Sequence, residues 1–278
     1  MEKRYLIYGI IVIVCIVSLG IGFHDQIYGK EKTSPFSSSQ KQLQQSEEAE
    51  NLRENFLNIF TNSLTYETAI INSSANIKDK TKEVVYTANE LKETVSGKYQ
   101  MNINVPELNI ASSLAQQINE DIDEQFVKTA RNILKEQNIK NTIYNINYVA
   151  YVNSNIVSLV VQATLKEENT AQRTMIKTYN YNLNTGELVK INDLLKMKNI
   201  SVSTLQNEIN KRIKEENKNA EGFNKQGYQF FTRNLEDSMY KVQNTEYFFL
   251  GSKSHLYVIY PYGNNSSNNT SDVDVVVI

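Results

Sequence analysis

A chain of 278 residues with 40% apolar and 22% charged side chains is long enough to bury one or two cores. Its net charge of -2 leaves no basic surplus to neutralise phosphates, so nucleic acid is not an expected partner. The single cysteine, Cys15, lies in an apolar run, and the two histidines, His24 and His255, are far apart, so neither an internal disulfide nor a zinc site is expected.

Met1 to Arg4 precede an uncharged run, Tyr5 to Phe23, whose length of 19 residues fits the ~20 a membrane-spanning helix needs. Its Ile, Val, Leu and Phe side chains each favour insertion by about 0.3–0.6 kcal/mol. Lys3 and Arg4 place residues 1–4 in the cytoplasm and everything after Phe23 outside. A cleaved signal peptide is the alternative; against it stand the length of the run and the lack of an Ala-x-Ala site. Residues 24–50 are rich in Ser, Gln, Lys and Glu, with Pro35, and read as a flexible stalk.

Leu52, Phe56, Ile59, Phe60 and Leu64 fall at helical spacing and predict an amphipathic helix from about Glu47 to Thr65. No pattern emerges between Tyr66 and Asp79. Tyr99, Met101, Ile103 and Val105 alternate with polar residues, a strand ending at Pro106, with Val84–Tyr86 and Leu91–Val95 as candidate partners. A long helix follows from Ile110 to Gln137, its apolar stripe running through Leu114, Ile118, Ile122, Phe126, Ala130 and Ile133 or Leu134. The carboxylates Glu120, Asp121, Asp123 and Glu124 lie mostly on the other side and read as a solvated face rather than a metal or acid/base site.

Thr142 to Val152 reads as a strand leading through Asn153-Ser154-Asn155 into a hairpin. Its arms are Val157–Leu165 and Thr174–Leu183, and Asn184-Thr185-Gly186 makes the next reversal. Asn192 or Asp193 caps a turn burying Leu194 and Leu195, and Ser201 or Ser203 caps a helix carrying Leu205, Ile209 and Ile213. Asn217 to Gly227 reads as a polar connection, and Tyr228 to Tyr240 as a further helix. The end is β again: Tyr247–Leu250, a turn, His255–Tyr260, an exposed Asn-, Ser- and Thr-rich loop at Asn264–Asp272, and a terminal strand to Ile278.

Nucleophilic catalysis needs an activating base beside a Ser, Cys or Thr. His255, predicted mid-strand, reads as a satisfied or surface histidine. No Gly-x-Ser-x-Gly elbow, phosphate-binding Gly-rich loop or His-Glu-x-x-His motif occurs. The binding candidate is Tyr260-Pro261-Tyr262, where two tyrosines around a stiff proline offer amphipathic area at low entropic cost. The plainer alternative is that Pro261 ends an edge strand and the tyrosines pack locally.

Three groups of residues, taken together, resemble one known family. They are Tyr99-x-Met101-x-Ile103-x-Val105-Pro106 with the helix start after it, Tyr181 to Leu188 with Ile191 to Leu195, and Phe248-Phe249-Leu250 with Tyr260-Pro261-Tyr262. The family is that of lysozyme-sensing anti-sigma-V factors, in their extracytoplasmic domain, which also forms the non-catalytic N-terminal region of some peptidoglycan deacetylases. The likeness spans about Val84 to Ile278. It implies an α+β fold, antiparallel strands packed against helices in two successive subdomains, 51–150 and 151–278. In anti-sigma members this domain binds lysozyme through exposed loops, and Tyr260, Pro261 and Tyr262 fall in the corresponding C-terminal region. Four residues before the membrane are too few for a sigma-holding cytoplasmic domain, Asn264–Thr270 stands where the family has an apolar segment, and the deacetylase catalytic domain is not in this sequence.

The expectation is a single-pass, N-terminus-inside protein whose extracytoplasmic body binds or senses a ligand at the bacterial cell envelope. The ligand would be a lysozyme-like protein or a wall glycan, with no cofactor, no metal and no catalysis. Alternatives are an envelope hydrolase with an unidentified carboxylate pair and an assembly partner of another membrane protein.

Overall fold

β4 (Thr142–Asn153) and β5 (Ile156–Lys166) are apolar on both faces, and the rest of the fold is built around covering them. They pair antiparallel from Ile143↔Lys166 to Asn153↔Ile156, and β6 (Arg173–Asn182) pairs antiparallel with β5. The computed structural model describes residues 47–71, 73–263 and 272–278. The apolar run at 5–23, most of the stalk and the loop at 264–271 lie outside the described residues. Among the described residues no helix is long and apolar enough to cross a membrane.

On the other side of β4, β3 (Tyr99–Leu108) runs parallel from Tyr99↔Thr142 to Ile103↔Ile146. β1 (Ser63–Tyr66) then takes its place against Val149–Val152, again parallel. Asparagines fill the fork between them: Asn104 and Asn62 both donate to Asn147 Oδ1, at 3.2 and 3.0 Å. The fold is α+β, but the expectation of antiparallel strands is corrected at these two pairs. A helical crossover of the length between β3 and β4 permits parallel pairing where a tight turn does not. β2 (Val85–Val95) completes the sheet as one strand with an irregularity between Thr87 and Asn89, joining the two short segments predicted there. The sequence division at 150/151 falls inside β4.

Period-two alternation then sorts the side chains into layers. Tyr144, Ile146, Tyr148, Ala150 and Val152 of β4 face a helical layer, while Val149 and Tyr151 face a second sheet. That sheet is β7 (Tyr247–Leu250), β8 (Leu256–Tyr262) and β9 (Asp272–Val277), antiparallel throughout. Tyr257 and Ile259 of β8 meet the first sheet; Leu256, Val258 and Tyr260 face α3 (Ile191–Met197) and α4 (Val202–Lys225). The order is helix, sheet, sheet, helix. β7 is an edge, and side chains of the first sheet satisfy its outer backbone groups. Thr178 Oγ1 accepts from Phe248 N at 3.1 Å, Asn180 Nδ2 donates to Phe248 O at 2.7 Å, and Asn153 Nδ2 donates to Leu250 O at 3.1 Å.

The helix expected over 110–137 is three pieces. α1 (Ser113–Ile122) is capped by Ser112, whose Oγ accepts from Ala115 N at 3.1 Å. A π turn over Asp123–Val127 follows, then α2 (Lys128–Lys135). The wider turn leaves the Phe126 carbonyl to the Tyr144 hydroxyl, 2.8 Å away and buried. The helix expected over 47–65 stops at residue 54; Phe56 drops between the sheets against Phe249 and Tyr257, and residues 63–66 form β1. The polar connection expected at 217–227 is the last third of α4: Ala220 is buried there and Asn217 Nδ2 donates to Glu221 at 2.9 Å. Gly222 is accommodated within the helix, and Gly227, with a φ of +94°, follows its end.

Candidate functional site

Alternation along β8 decides where the predicted binding residues go. Tyr260 shares the helix-facing side with Leu256 and Val258 and is only 2% exposed. Its ring meets Tyr240 edge-on at 5.2 Å, and its hydroxyl lies 3.3 Å from Thr245 Oγ1. Burial pushes the phenol up to about 12. The expectation of an exposed ring is therefore corrected for Tyr260: α4 and the 240–245 turns cover it. Tyr262, two residues on, is half-buried. It stacks on Phe231 at 5.6 Å and 18°, with the Arg233 guanidinium 4.1 Å from its ring centre. Burial, then the nearby Asp272, raise its phenol to about 12.

Pro261 and Tyr260 border a cleft of about 530 Å³, whose other walls include Met239, Gln243, Glu246 and Tyr247. Gln243, Asn244 and Glu246 are exposed at its rim. Its lining of apolar wall and a few polar groups is the usual make-up of a small recognition site. A larger hollow, about 870 Å³, lies beside the start of α1. Its polar groups are taken up by one another: Lys78 pairs with Glu107 at 3.0 Å, Asn119 bonds both backbone groups of Leu108, and Gln116 donates to Glu120 at 2.8 Å. In the smaller cleft Asn244 donates to the Ser238 carbonyl at 2.8 Å and Thr245 meets Tyr260, but the Gln243 side chain is exposed and the predicted residues Tyr260 and Pro261 form the wall, which makes it the candidate.

The acidic stretch across the end of α1 and the π turn behaves as a bonded and solvated face. Asp123 pairs with Arg131 and Glu124 with Lys128, while Asp121 accepts from the Tyr179 hydroxyl at 2.7 Å. Among the described residues no group of three or more His, Cys, Asp or Glu could hold a metal ion. His255 precedes β8 rather than lying mid-strand, with Nδ1 3.1 Å from the Ser252 carbonyl.

A second surface, missed from sequence, lies at the end of α4. The helix expected over 228–240 is absent; only 3-10 turns occur, at Ser238–Tyr240 and Val242–Asn244. Side chains of α4 hold the loop instead. Asn224 Nδ2 donates to Phe230 O at 3.0 Å while its Oδ1 accepts from Phe230 N at 2.6 Å, and Asn217 Oδ1 accepts from Arg233 N at 2.8 Å. Arg233 grips Asp274 of β9 with Nε and Nη2 at 2.9 and 2.8 Å, the two side chains being 5% and 3% exposed. Burial raises the Asp274 carboxyl above its usual range, and Arg233 offsets part of that rise. So fixed, the loop holds Tyr228, Phe230 and Phe231 at 60%, 49% and 40% exposed, beside Phe223 at 44%. Phe223 stacks on Phe230 at 4.8 Å, and Tyr228 stands edge-on to both. Two signals could have revealed this ledge: four aromatics within ten residues around Gly227, and a lone acid, Asp274, in the run Val273–Ile278.

No protein-family model matches the chain, and no curated protein does. Among solved structures it is similar to a DUF3298 family protein from Pseudomonas aeruginosa, at 10% identity and a TM-score of 0.39, covering 76% of this chain and 91% of that one. It is also similar to a DUF3298 family member from Bacteroides fragilis, at 13% identity and a TM-score of 0.32, covering 74% of this chain and 90% of that one.

Proposed function

We propose that this protein is a ligand-binding domain held outside the membrane by residues 5–23, and that its ligand enters the cleft beside Tyr260 and Pro261. The observation that carries this reading is the cleft itself. It joins an aromatic and thioether wall (Tyr247, Met239) to the exposed rim groups Gln243 and Glu246. The apolar run after Lys3-Arg4 supports the extracytoplasmic placement. The sequence likeness to lysozyme-sensing domains supports a lysozyme-like protein or a wall glycan as the ligand.

The test is titration calorimetry of the full chain in detergent against lysozyme and against soluble wall-glycan fragments. Gln243→Trp fills the cleft and Glu246→Lys reverses its rim charge, and both positions are exposed, so folding is not at stake. The expected result is binding by the natural chain and a loss of at least about tenfold, ~1.4 kcal/mol, in each variant. Unchanged affinity in both variants removes the cleft as the site. Catalytic release of reducing ends from the glycan would replace the binding reading with that of a hydrolase.

A further inference from the structure

We propose that the aromatic ledge at the end of α4 is the surface on which the domain lies against the bilayer that its own N-terminal run enters. This inference rests on the reading of residues 5–23 as an anchor; it concerns the ledge and is separate from the ligand cleft.

The ledge joins exposure to rigidity. Phe223, Tyr228 and Phe230 are in mutual ring contact, Phe231 follows in the chain with its ring on Tyr262, and all four stand 40–60% exposed on a backbone fixed by Asn224, Asn217 and the Arg233–Asp274 pair. Exposed rings on a fixed backbone lose little freedom when they are buried. Phe and Tyr also suit the headgroup boundary, where an apolar ring enters and a phenol tip stays wet. From Gly222 to Leu235 the chain carries no carboxylate and one exposed cation, Lys225, since Arg233 is buried against Asp274; Glu221 and Glu236 bound the segment. An anionic lipid surface therefore meets no repulsion from this segment.

The tether favours the same occupant. Arg53, in the helix by which the described chain begins, lies 3.9 Å from Glu216 of α4, and Phe223 is about 10 Å further along that helix at 1.5 Å per residue. Residues 24–46 separate the apolar run from that helix. A link of 23 residues reaches at most about 80 Å. On the anchor reading the domain stays within that reach of the bilayer, so docking of the ledge is intramolecular and a modest interfacial affinity suffices.

The chain has no tryptophan, so Phe230→Trp creates a single reporter. The full-length variant is placed in vesicles containing anionic lipid, with and without bromine on the acyl chains. The expected result is quenching of at least about twofold by brominated lipid, as for a ring at the acyl boundary. A reporter at Ile143→Trp, an exposed position on β4, should stay unquenched. Adding Tyr228→Ser and Phe231→Ser to Phe230→Trp should abolish the quenching. If the chain floats with the vesicles but Phe230→Trp is unquenched, or if both reporters are quenched equally, the ledge does not dock there and the proposal falls while the anchor stands. If the chain does not float with the vesicles, the anchor reading fails and takes this proposal with it. A response to lysozyme or wall glycan, with none to bromine, gives the ledge to a ligand and also overturns the proposal.

Discussion

Two groups of aromatic rings in this protein stack alike and end up in opposite surroundings. Between the sheets, Phe249 lies on Tyr257 at 4.4 Å and 14° and near Tyr151 at 6.1 Å and 15°, with Phe56 tilted against both Phe249 and Tyr257, and all are buried. At the end of α4, Phe223 lies on Phe230 at 4.8 Å and 24°, yet these rings and their neighbours face solvent. Ring-to-ring geometry does not separate the two groups. The difference lies in the backbone that delivers them. The inner rings come from strands of two facing sheets and, for Phe56, from a turn inserted between them, so each has a covered far side, whereas the outer rings come from a helix end and a loop clamped by side-chain amides, with no second layer over them among the described residues. Burial of an aromatic here follows from the second layer and not from the stack.

The largest effect should come from opening the inner group. Phe249→Ala leaves a cavity between the sheets and should cost about 3–5 kcal/mol in denaturant unfolding. A loss below ~1 kcal/mol would mean that the sheets close over the gap and the contrast is weaker than drawn.

Next is the clamp on the outer group. Asp274→Ala strands the Arg233 charge in the interior and should cost about 3 kcal/mol, while Asp274→Leu combined with Arg233→Met should recover much of it. Equal losses in the single and double variants would show that the pair matters for its shape and not for its charge.

Alkaline titration sharpens the comparison further. Burial lifts Tyr151 and Tyr260 to about 12 in the folded protein, against about 10 in an unfolded chain. The folded state therefore holds these protons longer than the unfolded state does. Their contribution to stability is complete below about pH 10 and is lost as pH rises through about 12. Tyr151→Phe should flatten the fall in stability across that window, followed by tyrosinate absorbance alongside unfolding; an unchanged slope would contradict the assignment.

The smallest effect on stability belongs to the ledge. Tyr228→Ser should change unfolding by less than ~0.5 kcal/mol, as for other exposed sites. A loss above ~1.5 kcal/mol would show that the ring is already packed in the free protein.

Much of the architecture was legible because it depends on local alternation. The hairpin of β5 and β6, the strand to Val105 and the Ser201-capped helix follow from period and capping chemistry that neighbouring residues carry by themselves. The candidate site was only half legible. Tyr260-Pro261-Tyr262 stood out as a motif, yet burial of the first tyrosine depends on α4 lying across β8, and the cleft needs the 238–246 turns folded beside it. The ledge was hidden because apolar spacing over 228–240 imitates a helix, and the bonds that prevent one come from Asn217 and Asn224 on the preceding element.

The amino-acid sequence alone determined the hairpins, the Ser201-capped helix and an apolar N-terminal run of spanning length, while the cap expected at Asn192 or Asp193 falls on Lys190. Each of these is set within a dozen or two residues by side-chain period, turn chemistry and charge. Tertiary structure alone decided that β1 and β3 share one side of β4 in parallel, that Arg233 meets Asp274, and that one set of rings is enclosed while the other is presented. Those outcomes depend on which distant surface arrives to exclude water, and no local stretch of chain encodes the arrival of its partner.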